Sequence, residues 1–393
     1  MSKRSFDLPG IEQLTKDQRK VLRLKKEGQY LVVGSPGTGK SVVALCRAKN
    51  FSDHEESLFL TFNHVLSHST SQLYDGELKC HTAMSWFYSL HWDLIGGTRG
   101  TYEEDKMPEI KPHIPDYEQV ALRFKSFNKD YSNFQVIIDE GQDLPQGWYD
   151  CLTELGFENF FIVADQNQQI TDEHSSRKEL EESLGLDKSE VIELKDNWRN
   201  TAPIAIFANY FYTDKTSPKP KVPDRSSTAI PILFEFSNII TMQEKILHEY
   251  DRDTSKLIGF IVPTEAKRDF YAKELNKEKI KRNNSKPLIS TYYAEQKGNV
   301  NIDFAYGGIV VLNDKSVKGI EFDIVFVLID DFKVSNNDIE SLLKRFYVIS
   351  SRARENIFLF QNPKFNNVVN EILPKVGEIS EETGDVILKR QKI

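Results

Sequence analysis

The sequence predicts an α/β protein of two domains, each a parallel β-sheet flanked by helices. Three observations carry that expectation. Short apolar, β-branched runs recur at 30–33, 58–62, 135–138, 160–164, 191–194, 232–236, 257–262, 308–312, 324–329 and 357–360, separated by amphipathic stretches. The runs lack in–out alternation of polarity, which fits strands covered on both faces. The segment 213–227, TDKTSPKPKVPDRSS, is rich in proline, lysine and serine and reads as a linker dividing the pattern into halves. Domains are therefore expected at 1–213 and 214–393. A small insertion is expected at about 96–130, opening on GGTRG and leading into a short helix over 117–128.

Whole-chain properties narrow the class. A chain of 393 residues exceeds what one hydrophobic core organises. No apolar stretch approaches the ~20 residues that span a bilayer, and the opening MSKRSFDLPG has no apolar signal core. Three scattered cysteines, Cys46, Cys80 and Cys151, argue against a disulfide framework or a zinc site, so a reducing, cytoplasmic location is expected. The net charge of −8 does not advertise a nucleic-acid binder, but a local groove can be basic on an acidic protein.

Taken in order, the first chemical signal is LVVGSPGTGKSVVAL, residues 31–45. Within it GSPGTGKS matches the phosphate-loop pattern: Gly34, Ser35, Pro36, Gly37, Thr38, Gly39, Lys40 and Ser41 lie between a predicted strand and a predicted helix. Glycines let successive N–H groups converge on phosphate oxygens, and the helix N-terminus favours the same anion. Lys40 is expected on the outer phosphates of a triphosphate, ATP, and the Ser41 hydroxyl on Mg²⁺. The second signal is VIIDEGQDLP, 136–145, where Asp139 and Glu140 end a buried strand. Ligands bind at that end of parallel sheets. Asp139 is expected to hold Mg²⁺, and Glu140 to polarise the attacking water.

From 14 to about 360 these and further motifs resemble, in order, the UvrD/Rep-type superfamily 1A DNA helicases. That resemblance implies tandem RecA-like domains of the P-loop NTPase class, with ATP between them. LTKDQRKVL is similar to the adenine-reading Q motif, implying that Gln18 pairs with the base through its amide. DEGQD is similar to the family's acidic motif, implying that Gln142 and Asp143 couple nucleotide state to neighbouring loops. VADQNQQI resembles G-D-x-x-Q-S-I-Y, with Asp165 and Gln168 matching and Gln168 implied as γ-phosphate sensor. NWRNT resembles N-Y-R-S/T, implying Trp198 near adenine and Arg199 on the γ-phosphate. SVKGIEFD is similar to S-A-K-G-L-E-F, with Gly319 and Glu321 matching and Glu321 implied at the ribose. YVISSRAREN resembles Y-V-A-L-T-R-A-K/R, implying that Arg352 is an arginine finger. A rigid guanidinium fork suits charge developing on phosphoryl oxygens.

The resemblance also implies a track for single-stranded DNA. Thr61, Phe62 and Asn63 resemble its first contact motif, and His81, Thr82 and Trp86 its second. Hydroxyls and amides hold phosphates while aromatic faces stack bases; the same aromatics at helical spacing also read as core. The basic run 277–286 reads either as backbone cover or as a solvated helix end. Two departures matter. Thr171 stands where the family has tyrosine, and Glu173 stands near an expected aromatic. The gaps between motifs also leave no room for the family's large inserted domains. The expected activity is ATP-driven translocation or unwinding on single-stranded DNA, with 3′→5′ polarity implied by the resemblance; the motifs do not choose between DNA and RNA. The alternative is a nucleic-acid-gated ATPase switch acting with an effector such as a nuclease.

Overall fold

The computed structural model describes residues 11–50, 57–62, 80–95, 106–127, 129–165, 175–214, 219–281, 284–292, 302, 306–334, 338–365 and 367–393. Packing divides the chain into two compact units. Asp7–Ser35 with Gly39–Lys195 form the first, and Asp196–Ile393 with Pro36–Thr38 belong to the second. Each holds a parallel sheet with helices, so the α/β class expected from the sequence is the one observed, in the two-sheet architecture of tandem RecA-like domains. Among the described residues no helix is long and apolar enough to cross a membrane.

The first unit contains β1 (Gln29–Gly34), β2 (Ser57–Thr61), β3 (Cys80–Thr82), a hairpin of β4 (Glu109–Lys111) and β5 (Ile114–Pro115), β6 (Tyr131–Asp139), β7 (Phe157–Ala164) and β8 (Val191–Leu194). Its main sheet has the order β3-β2-β6-β7-β1-β8, parallel throughout. Strand periodicity sends alternate residues to opposite faces. Leu31, Val33, Ile138 and Ile162 meet Phe87, Phe124 and Trp148 on one side. Val32, Ile137, Phe161 and Val163 meet Val21, Val43 and Ala48 on the other. Both faces are therefore apolar, which is why the runs read as continuous. Each fully buried Val, Leu, Ile or Phe contributes about 1.5–3 kcal/mol.

Arg47, on the helix Lys40–Lys49, joins that helix to the N-terminal segment. Its guanidinium lies over the rings of Phe161 and Tyr30, 4.6 and 5.5 Å from their centroids, and donates to the carbonyls of Leu24, Lys25 and Lys26. Burial lowers its pKa to about 10. Those carbonyls follow the helix Lys16–Leu22, which opens on a capping box between Thr15 and Gln18.

The second unit contains β9 (Ile232–Glu235), β10 (Leu257–Val262), β11 (Ile289–Tyr292), β12 (Gly308–Asn313), β13 (Phe322–Leu328), β14 (Ala353–Gln361) and β15 (Lys389–Lys392). Its sheet has the order β11-β12-β10-β13-β14-β9-β15, again parallel. The helix Ala202–Asn209 belongs here. It is apolar nearly all round, and just beyond it Phe211 and Tyr212 meet Phe346 and Tyr347 of the helix Ile339–Ser351, with ring centroids 5.6 and 5.5 Å apart. The described part of the expected linker doubles back along it: Asn209 Nδ2 donates to Pro220 O (2.9 Å) and Ala202 N–H to Arg225 O (2.8 Å). Packing therefore divides the chain between Lys195 and Asp196, ahead of the break expected after 213. Pro36–Thr38 group with this unit, where Trp198 N–H donates to Gly37 O (2.8 Å).

Candidate phosphate-binding site

In the first unit, β6, β7 and β1 are neighbours whose C-terminal ends lie side by side: Val33 pairs in register with Ala164, and Asp139 with Val163. β1 runs into the glycine-rich loop and then the helix Lys40–Lys49. Gly39 caps that helix with φ 84°, a left-handed conformation open to glycine. A Cβ on Gly39 would stand 2.3 Å from Gln18 Nε2, so the turn and the Gln18 amide exclude anything larger. Gln18 is buried; its Oε1 accepts from Thr15 N–H (2.9 Å).

Lys40 is also buried. Its ammonium donates to Gly34 O (2.7 Å) and Ser35 O (2.9 Å) and pairs with Asp165 Oδ2 (3.3 Å) at the end of β7. Ser41 hydrogen-bonds the Asp139 carboxylate. Burial, reinforced by the charge of Glu140, pushes Asp139 up to about 7; Ser41 and Lys40 pull the other way. Glu140 adopts φ 60°, rare for a residue with a side chain, and its N–H donates to Asp139 Oδ1 (3.0 Å). Gln142 braces both acidic strand ends: Nε2 donates to Glu140 Oε2 (2.6 Å), and Oε1 accepts from Asp165 N–H (2.9 Å). Tyr149 OH donates to Gly141 O (2.7 Å), fixing the turn between them.

This donor set suits a magnesium triphosphate. Among the described residues no group of three His, Cys, Asp or Glu side chains is placed to hold a metal. The hard oxygens of Ser41 and Asp139 stand together, the pairing Mg²⁺ uses when phosphates and water complete its octahedron.

In the second unit, Arg199 Nη2 forms an ion pair with Glu321 Oε1, while Arg199 Nη1 is buried with no hydrogen-bond partner. Desolvation pushes the Glu321 carboxyl up, but the guanidiniums of Arg199, Arg354 and Arg352 outweigh it and its pKa is lowered. Arg352 is buried, and its carbonyl accepts from Phe322 N–H (3.0 Å). Gly319 has φ 82° in the turn before Glu321. Trp198, beside Arg199, is 64% exposed, an unusual position for so large an apolar ring. Arg199 thus stands in the same unit as Arg352, although the linker had placed it in the first domain.

The expected track is less open than the sequence suggests. Thr61 is fully buried, in register with Thr82 on one side and Asp139 on the other, and Thr82 is buried as well. Trp86 packs on Trp148 and Phe157, with centroids 6.3 and 6.0 Å apart, and Phe62 joins the same cluster as a partly buried member. His81 alone of these is exposed. The competing reading of these aromatics, that they belong to the core, describes their packing. Asn63, Gln168, Thr171 and Glu173 lie outside the described residues.

No family model matches the chain, and no curated protein matches it. Among solved structures, the C-terminal domain of a possible DNA helicase from Lactobacillus plantarum WCFS1 is similar at 16% identity and a TM-score of 0.32. The match covers 49% of this chain and 97% of that one. So low a likeness says nothing about activity. The fold defines an α/β protein of two parallel sheets, with a glycine-rich loop between β1 and the helix Lys40–Lys49 and an acidic strand end on β6.

Proposed function

We propose that the protein is an ATP-dependent single-stranded DNA translocase or helicase of the UvrD/Rep type, with 3′→5′ polarity. The observation that carries this reading is the assembly at one sheet edge of the loop, Lys40, the Ser41–Asp139 pair and the Glu140–Gln142 pair. Loop N–H groups and Lys40 bind the phosphates, Lys40 exchanging its loop carbonyls for phosphate oxygens. Ser41 and Asp139 would hold Mg²⁺, which would supply neutralisation of the phosphate charge. Glu140, held by Gln142, takes the proton of the attacking water. Arg199 and Arg352 stabilise the charge that develops on the γ-phosphoryl oxygens, an effect worth about 10³-fold or more. The buried Arg199 Nη1 without a partner supports an anion as its intended neighbour.

The burial of Thr61, Thr82 and much of Trp86 favours keeping a second reading, a nucleic-acid-gated ATPase switch that licenses a partner such as a nuclease. Single-turnover strand displacement with 3′ or 5′ single-stranded tails separates them. The translocase reading expects ATP-dependent displacement from the 3′ tail. ATP turnover without displacement from either tail would leave the switch.

A further inference from the structure

The two arginines are tied together by a side chain that plays no part in the chemistry just described. Asn200 is 1% exposed. Its Nδ2 donates to Ala353 O (2.5 Å) and to Ser351 O (3.2 Å), the carbonyls on either side of Arg352. Its Oδ1 accepts from Asn197 Nδ2 (2.8 Å). Asn197 Oδ1 in turn accepts the backbone N–H groups of Arg199 (3.0 Å) and Asn200 (3.2 Å). Two interlocked amides therefore clamp the turn that carries Arg199 onto the strand start that carries Arg352. An asparagine fits this place because its planar amide can donate twice from Nδ2 while accepting at Oδ1. Serine has one donor hydrogen and could not hold both carbonyls.

Beyond the clamp, Glu321 feels both guanidiniums, and Phe322 N–H bonds the Arg352 carbonyl. The segments 197–200, 321–322 and 351–353 thus form one frame, all inside the second unit.

We infer that Asn200 is a positioning residue that joins Arg199 to Arg352, so that the two cations act on the γ-phosphate as a single pre-set pair. The inference rests on the ATPase reading above. Its physical basis is that a rigid pair needs no reorganisation as charge develops, whereas independently mobile cations do. Being tied to two backbones instead of to the nucleotide, Asn200 bears on the rate of the chemical step and not on ground-state affinity.

The test is steady-state ATP turnover with single-stranded DNA present, using full-length protein. It compares wild type, Asn200→Ala, Arg199→Ala, Arg352→Ala, the three double variants and the triple variant, with fluorescent-nucleotide affinity and thermal melting alongside. Asn200→Ala is expected to lower kcat by about 10²-fold, the usual cost of a small misplacement, with nucleotide affinity changed less than about threefold. In the Asn200-intact background the effects of losing Arg199 and Arg352 on kcat should be strongly non-additive; in Asn200→Ala they should become additive. A folded Asn200→Ala protein with wild-type kcat, or with the same non-additivity as wild type, overturns the inference. If Asn200→Ala melts below the assay temperature, the same cycle is run in Asn200→Ser, and the same two outcomes decide. Wild-type protein that hydrolyses no ATP under any nucleic acid overturns the functional reading itself, a result distinct from either of these.

Discussion

Asp139 shows how one buried carboxylate trades stability for chemistry. Its pKa is raised to about 7, chiefly by burial and then by Glu140. A carboxyl held above its unfolded value gives stability that is fully present below about pH 4 and is lost as pH rises through about 7. At pH 8 the ionised group is carried at a cost that Mg²⁺ would relieve. Asp139→Asn is expected to raise stability at pH 8 by on the order of 1–2 kcal/mol, with the gain shrinking at pH 5 and ATP turnover lost; melting curves at both pH values check it. Lys40→Ala should go the other way. It removes the ammonium that pairs with the buried Asp165 carboxylate, at about 3 kcal/mol, and removes nucleotide binding, readable by melting and by fluorescent-nucleotide titration. The positions of Lys40, Ser41, Asp139 and Glu140 were legible because fixed local spacings place them at strand ends. The packing of Trp86 was not, since an aromatic in a core and an aromatic awaiting a base have the same sequence neighbours. Asn200 was illegible for another reason: the carbonyls it clamps lie 151 and 153 positions away.

Among the elements, the apolar strands were readable, down to the four-residue β8 and β9, and the polar ones were not. β7, β10, β12 and β13 are buried along nearly their whole length, and β1, β6 and β14 over a central or C-terminal stretch, so each left an apolar run. β15 is Lys-Arg-Gln-Lys and exposed along its length; it pairs through its backbone with β9, which leaves no mark in side-chain polarity. The packing partner of the helix Ala202–Asn209 was not legible, because its apolar faces are satisfied by a helix more than a hundred residues later. Phe211, fully buried against Phe346 and Phe207, anchors that packing. Phe211→Ala is expected to cost about 3–5 kcal/mol, seen as a fall in the denaturant midpoint of the second unit. In the phosphate loop, Gly39→Ala combines a left-handed φ with a Cβ 2.3 Å from Gln18 Nε2. It should weaken nucleotide binding at least about tenfold while costing about 1–2 kcal/mol, and calorimetric titration with a non-hydrolysable triphosphate would read both the affinity and its enthalpy.

At the scale of the whole molecule, each unit has its own sheet and core, and each carries a different part of the proposed chemistry. The first holds Gly34, Ser35 and Gly39 of the loop with Lys40, Ser41, Asp139 and Glu140; the second holds Pro36–Thr38 of the loop with Trp198, Arg199, Glu321 and Arg352. A motor and a switch built from these parts differ in how turnover responds to the polymer. A switch saturates on a short oligonucleotide, whereas a translocase hydrolyses along the strand and its turnover grows with length before levelling. The most direct measurement is therefore steady-state ATP turnover by wild type and by Lys40→Ala on single-stranded DNA of graded length, with duplex DNA and RNA alongside. The account predicts turnover that depends on Lys40, is stimulated by single strands and increases with their length. Equal turnover by the two proteins, or none by wild type on any strand, would contradict it.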